Sequence, residues 1–305
     1  KQSFRVHITA AVHQGLRCVA VQAMEPTHQV VILDINPLLW GLTKRYLDNP
    51  GTDNDIAVLS SFRSYIDVVD IFSKAHIMLN KENTVQVIAV HSCGCSVIYP
   101  TCTAERRGDF DLHVLVRDLL SGLVQSPDGA DAESEMTHLS QALSRALCAI
   151  NRMQLQRQHT ASHRSKILVS QISHDAPASY NGIMNSIFSA QKMGIPVDAL
   201  VCSREDSSLL QQACLLTGGV YLKAPLEGSE GASSLQLLLT HSLPCTASRR
   251  ALRAPLQTSV DFKASCTCHN KPVDFTFMCS VCLSLFCPTG TICGLKCEIC
   301  GATIR

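Results

Sequence analysis

This sequence has almost no net charge. Lys and Arg number 26 against 25 Asp and Glu, giving a formal charge of +1. Such a balance makes no global field that would draw the chain to nucleic acid or a membrane surface. It leaves a local DNA-contacting patch open. No run of about 18 apolar residues is present, so the sequence offers no membrane-spanning helix. Lys1 to Met24 are interrupted by His7, His13, Gln14 and Arg17, which excludes the continuous apolar core of a secretory signal. There is no Gly-x-x-x-x-Gly-Lys phosphate loop and no internal repeat. The 12 histidines are scattered, with no motif around a nucleophile, which speaks against Ser–His or Cys–His catalysis. Because the sequence begins at Lys1 instead of Met, a fragment or an irregular gene start is expected, and residues 1–27 receive no role.

What is present is apolar residues and cysteine. The 305 residues are 46% hydrophobic, enough for one large domain and a small one. The 16 cysteines fall into two groups. Cys18, Cys93, Cys95, Cys102, Cys148, Cys202, Cys214 and Cys245 are scattered; several lie in apolar runs, as Cys148 does, and read there as small buried hydrophobes. The other eight crowd the C-terminus: Cys266, Cys268, Cys279, Cys282, Cys287, Cys293, Cys297 and Cys300. With no export signal, zinc and a reducing compartment are expected over disulfides.

Before the cysteine-rich tail, strands alternate with helices. Val30–Ile35, Thr84–Val90, Lys166–Ile172, Pro196–Cys202 and Val220–Lys223 read as strands, with Ser96–Tyr99 a hairpin partner. Helices are expected after Pro37, over 56–79, around 112–124, and over 137–153, 179–193, 207–217 and 233–243. Gly194 and Gly218-Gly219 close two of them. Alternation of this kind predicts a mostly parallel, doubly wound sheet covered on both faces. The expected division is an unassigned segment 1–27, an α/β domain 28–243, a linker 244–259 and a cysteine module 260–305. Arg249, Arg250 and Arg253 read as solvated linker residues.

Two places could carry chemistry. Ligands of open α/β sheets sit beyond the carboxyl ends of the strands, where Asp34 and Asn36 fall. A von Willebrand A-type fold carries Asp-x-Ser-x-Ser there for Mg²⁺. Here the segment reads Asp34-Ile35-Asn36-Pro37-Leu38, too poor in oxygen ligands, so Asp34 and Asn36 are expected to cap the following helix. An adhesion-type domain binding an acidic ligand through Mg²⁺ is correspondingly disfavoured.

The cysteine module is the stronger signal. Thiolates suit tetrahedral zinc, and Cys-x-Cys or Cys-x-x-Cys turns deliver two sulfurs with little loop to close. Eight ligands make two sites. Cross-braced, Cys266, Cys268, Cys287 and Cys293 share one ion while Cys279, Cys282, Cys297 and Cys300 share the other. Taken sequentially, Cys266, Cys268, Cys279 and Cys282 hold the first and the remaining four the second. Spacing permits both, and His269 can replace Cys293. Four protein ligands per ion leave no open position, so the zinc is structural. A module this short needs it, since chains below about 40 residues rarely fold on a core alone.

Leu33-Asp34-Ile35-Asn36-Pro37-Leu38-Leu39-Trp40-Gly41 resembles the opening of the A-type domain in the Tfb4/p34 family of TFIIH, the general transcription and DNA-repair factor. Ser144 to Met153, Ser165 to Val169, Met184 to Lys192, Leu209 to Cys214, Thr217 to Lys223, Val260 to His269 and Cys279 to Cys287 extend the likeness. It implies a von Willebrand A-type domain followed by a small zinc-binding module. It also implies a nuclear, non-catalytic subunit of the TFIIH core. Its A-type domain would pair with the larger A-type, RING-like subunit, itself linked to a repair helicase. The family's finger is of the four-cysteine type, matched most directly by Cys266, Cys268, Cys279 and Cys282. The alternative is a RING-like ubiquitin ligase module. That pattern starts with Cys-x-x-Cys and carries a central histidine, whereas here the first pair is Cys266-x-Cys268 and no histidine lies between Cys279 and Cys300.

Overall fold

Val30 to Leu33 are wholly buried, and their side chains alternate between two separate cores. A strand buried on both faces reads as a continuous apolar run, and a parallel sheet is where such strands occur. This is β1 (Thr27–Asp34). It lies at the centre of a six-stranded sheet with β2 (Thr84–His91), β3 (Gly94–Tyr99), β4 (Arg164–Gln171), β5 (Val197–Val201) and β6 (Tyr221–Lys223). The order is β3-β2-β1-β4-β5-β6. All neighbours are parallel except the β2–β3 hairpin. The register places Val31 opposite Val87 on one side and Leu168 on the other. The computed structural model describes residues 26–36, 40, 53–99, 111–125, 138–156, 164–175, 180–203, 205–224, 231–249, 260, 262, 264–266, 272–288, 296–297 and 299–302.

Helices cover both faces. On one, α1 (Asp53–Leu79) and α2 (Leu112–Gln125) bring Tyr65, Phe72, Leu112, Val116 and Leu120 onto Val31, Leu33, Val87 and Leu168. On the other, α3 (Leu139–Gln156), α4 (Tyr180–Lys192) and α5 (Ser208–Thr217) bury Leu143, Ile150, Ile187 and Leu210 against Val30, Ile32, Ile167 and Val197. This is the expected doubly wound α/β architecture. Helix ends follow local chemistry. The Ser207 hydroxyl accepts the Leu210 N–H at 3.1 Å, a side-chain N-cap. Gly194 and Gly218 end their helices at φ 66° and 72°, where a Cβ would be strained. The expected helix after Pro37 lies outside the described residues, apart from Trp40, which packs edge-on against Phe62.

Two expectations fail for identifiable reasons. Cys148 is exposed, because the buried face of α3 runs through Ala142, Leu143, Ala146, Leu147 and Ile150 and leaves Cys148 on the outer side. The stretch just past residue 243, expected as a solvated linker, is instead held against the sheet domain. After α6 (Gly231–Leu237) the helix widens into a π turn over Leu238–Ser242, where the Leu243 N–H donates to the Leu238 carbonyl. A single helical turn follows, α7 (Thr246–Arg249). Arg249, expected in solvent, is turned inward. Its guanidinium donates to both oxygens of fully buried Asp198 at 2.7 and 2.5 Å. Arg250 and Arg253 lie outside the described residues.

Candidate metal centre

Past α7 the described chain consists of short ladders. β7 (Ala264–Ser265) pairs with β8 (Pro272–Val273), and β9 (Phe277–Met278) pairs with β10 (Leu285–Phe286). Between β9 and β10 the chain makes a tight knuckle carrying Cys279 and Cys282. The Leu283 N–H donates to the Cys279 carbonyl, and the Cys279 N–H donates to the Ser284 carbonyl, both at 2.9 Å. The same two bonds recur at the C-terminus. There the Gly301 N–H donates to the Cys297 carbonyl (2.8 Å) and the Cys297 N–H to the Ala302 carbonyl (2.7 Å). Each knuckle needs a left-handed residue after its second cysteine. Gly301 supplies it at φ 72°, and Leu283 does so at φ 61° without a glycine's freedom.

The two knuckles face each other over Phe286, which is buried against Cys279 and Cys297. The sulfurs of Cys279, Cys282, Cys297 and Cys300 all lie within 4.8 Å of one another. Cys279 and Cys300 are 3.7 Å apart, and Cys282 and Cys297 are 3.5 Å apart. A tetrahedral zinc with Zn–S bonds of about 2.3 Å separates its sulfurs by about 3.8 Å, so the residues fit that ion. The electrostatics agree. The Ser284 hydroxyl and backbone N–H hold the Cys282 thiol down to about 6. Backbone donors at Cys282 and Val281 lower Cys279. Cys300, despite a backbone donor at Ala302, is pushed up to about 12 by the neighbouring sulfurs. Four thiolates this close repel one another, and a divalent cation removes that repulsion. With all four positions filled by protein, the centre would hold an ion without presenting it to a substrate.

The grouping is the second foursome of the cross-braced arrangement. In the sequential arrangement, and in the four-cysteine finger matched by the resemblance, Cys279 and Cys282 stand with Cys266 and Cys268. Here the β9–β10 hairpin turns Cys279 and Cys282 toward the C-terminal knuckle, and Cys266 is not in the cluster. Cys266 and Cys287 are both buried, each directly after a short strand. Cys268, His269 and Cys293 lie outside the described residues.

At the sheet's carboxyl edge the Asp34 carboxylate is taken up by hydrogen bonds from the described chain. Asp34 Oδ2 accepts the N–H groups of Ile172 (3.3 Å) and Ser173 (2.9 Å) and the Ser173 hydroxyl, while Oδ1 accepts the Asn36 N–H at 3.3 Å. Asp34 thus ties β1 to the end of β4, while the helix it is expected to cap lies outside the described residues. Among the described residues, the four sulfurs are the one group of three or more Cys, His, Asp or Glu arranged to hold a metal ion. The sequence reading missed Ser284, whose hydroxyl sits 3.1 Å from the Cys282 sulfur. Its position two residues past a cysteine was the available signal.

Comparison with known proteins bears on fold and site together. A family model described as Transcription factor Tfb4 matches residues 26–301. The chain is 36% identical over 274 residues to the Schizosaccharomyces pombe general transcription and DNA repair factor IIH subunit tfb4, covering 86% of this chain and 84% of that protein. It is 33% identical over 288 residues to the Arabidopsis thaliana subunit TFB4, covering 90% and 87%. Among solved structures, the N-terminal domain of TFIIH p34 superposes with a TM-score of 0.55 at 24% identity, covering 70% of this chain and 97% of that one. That last likeness speaks to the fold.

Proposed function

The chain belongs to the Tfb4 family, the TFIIH subunit of transcription and DNA repair, and on that premise we propose that it acts in TFIIH as a non-catalytic scaffold. The observation that carries this reading is the span of the family match. It runs from β1 through the second cysteine knuckle, residues 26–301, so sheet domain and module are retained together. Two features support the absence of chemistry. Asp34, the residue best placed to bind a cation at the sheet edge, is consumed by hydrogen bonds. The cysteine centre has four sulfur donors and no place for substrate.

In this proposal the A-type domain pairs with the larger A-type, RING-like subunit of the complex, and through it reaches the repair helicase in the nucleus. Structural zinc folds the module, with the eight C-terminal cysteines cross-bracing two ions. Cys279, Cys282, Cys297 and Cys300 hold one; Cys266, Cys268, Cys287 and Cys293 hold the other. Residues 28–243 form the A-type domain, 244–259 the connection, anchored by Arg249, and 260–305 the module. Contacts are between proteins, consistent with the net charge of +1 and with the absence, among the described residues, of a helix long and apolar enough to cross a membrane.

The test is affinity purification of the tagged chain from nuclear extract. Recovery of the TFIIH core in stoichiometric amount is expected. A monomer that never associates with it would contradict the proposal, and so would ubiquitin transfer in the presence of a charged conjugating enzyme.

A further inference from the structure

The two cysteine knuckles are built alike and finished differently. Ser284 and Ala302 occupy equivalent places, since the carbonyl of each accepts the N–H of its knuckle's first cysteine. Ser284 adds a hydroxyl 3.1 Å from the Cys282 sulfur. Ala302 has none to offer Cys300. Burial divides the four sulfurs the same way: Cys279 and Cys297 are buried, Cys282 is half-buried, and Cys300 is exposed. The first knuckle is also braced from the sheet domain, where the Asn181 side-chain amide on α4 donates to the Cys282 carbonyl at 3.3 Å.

A hydrogen bond to a ligating thiolate withdraws electron density from sulfur and must be broken before that sulfur attacks anything else. Reactivity also requires access. Each sulfur has a backbone donor, at Ser284 for Cys282 and at Ala302 for Cys300, but Cys282 alone adds a hydroxyl donor and partial cover, whereas Cys300 is exposed. We propose that Cys300 is a modification site, the thiolate through which soft electrophiles of the Michael-acceptor class enter the metal centre, with Ser284 as the positioning residue that withholds Cys282 from the same chemistry. The inference rests on the reading of the four sulfurs as a zinc centre. In the step, the Cys300 sulfur adds to the electron-poor carbon–carbon double bond. A C–S bond forms, the π bond breaks, and water supplies a proton to the neighbouring carbon. Cys300 becomes a thioether, and the chain then grips the ion with three thiolates in place of four.

The experiment uses the full chain purified with zinc, in a Cys93→Ser/Cys148→Ser background that removes two exposed thiols outside the module. It is treated with one equivalent of N-ethylmaleimide, followed by peptide mapping and a chromophoric zinc indicator. The expected first adduct within the four-sulfur cluster is on Cys300, with one zinc released per adduct. Ser284→Ala should shift adducts onto Cys282 and speed zinc release, and Ser284→Thr, which keeps the hydroxyl, should restore the Cys300 preference. A first adduct on another of the four cysteines would overturn the inference. So would a Cys300 adduct without zinc release, or an unchanged adduct distribution in Ser284→Ala. A chain containing no zinc before treatment would overturn the metal reading as well, whereas a zinc-loaded chain that reacts elsewhere would overturn this inference alone.

Discussion

His76 shows how one buried side chain makes stability depend on pH. Its Nε2 donates to the Thr27 carbonyl at 3.2 Å, and its Nδ1 is enclosed without a partner. Burial, with the nearby Lys166 charge second, lowers its pKa from 6.5 to about 4. The unfolded chain therefore binds a proton at this site between pH 6.5 and 4 while the folded chain does not. Stability is lost as pH falls through that window. Denaturant melts at pH 7 and pH 4.5 should show the loss, and His76→Gln should make it smaller. A second residue-scale expectation concerns Leu283, held at φ 61° where its counterpart is Gly301. A left-handed non-glycine residue costs about 1–2 kcal/mol, so Leu283→Gly should raise the chelator concentration needed to unfold the module. Gly301→Val should lower it.

At the scale of elements, the end of the α/β domain depends on one buried pair. Asp198 lies inside β5 and is wholly buried. It accepts from Arg249, from the Ser242 hydroxyl (2.7 Å) and from the Val220 N–H (3.0 Å). Lys166 on β4 completes the arrangement by donating to the carbonyls of Ser242, Leu243 and Pro244. Removing one partner of a buried pair leaves an uncompensated charge at a cost of about 3–5 kcal/mol. Arg249→Ala should therefore lower the unfolding midpoint of the sheet domain markedly. Arg117→Ala breaks an exposed pair with Asp118 and should change it by about 0.5 kcal/mol or less. This tie was invisible in the sequence because Arg249 and Asp198 are far apart along it, and three nearby arginines look like a solvated linker. The strands were legible for the opposite reason. Val30 to Leu33, Val85 to Val90 and Ile167 to Val169 are local apolar runs whose burial on both faces needs no distant partner to be recognised. Helix ends at Gly194 and Gly218 were equally local. The π turn at Leu238–Ser242 was not, and the Ser242 carbonyl at its end accepts from Lys166, a lysine on another element.

At the scale of the whole molecule, a sheet domain whose Asp34 carboxylate is internally satisfied is followed by a module in which four sulfurs converge. The eight cysteines were plain in the sequence. Which four meet was not, because Cys-x-x-Cys spacing fixes pairs and leaves the pairing of pairs to the hairpin between them. Cys279 and Cys282 join Cys297 and Cys300 because β9 and β10 fold the chain back over Phe286. Since a structural zinc contributes folding energy on the order of 10 kcal/mol, a strong chelator should unfold the module while the doubly wound sheet keeps its helical circular-dichroism signal. The most direct measurement is zinc per chain by native mass spectrometry, for the unaltered protein and for a Cys279→Ser/Cys297→Ser double variant. Two ions are expected in the first and one in the second, because both substitutions fall on a single cross-braced centre. A chain without zinc, or a double variant that has lost both ions, would contradict it.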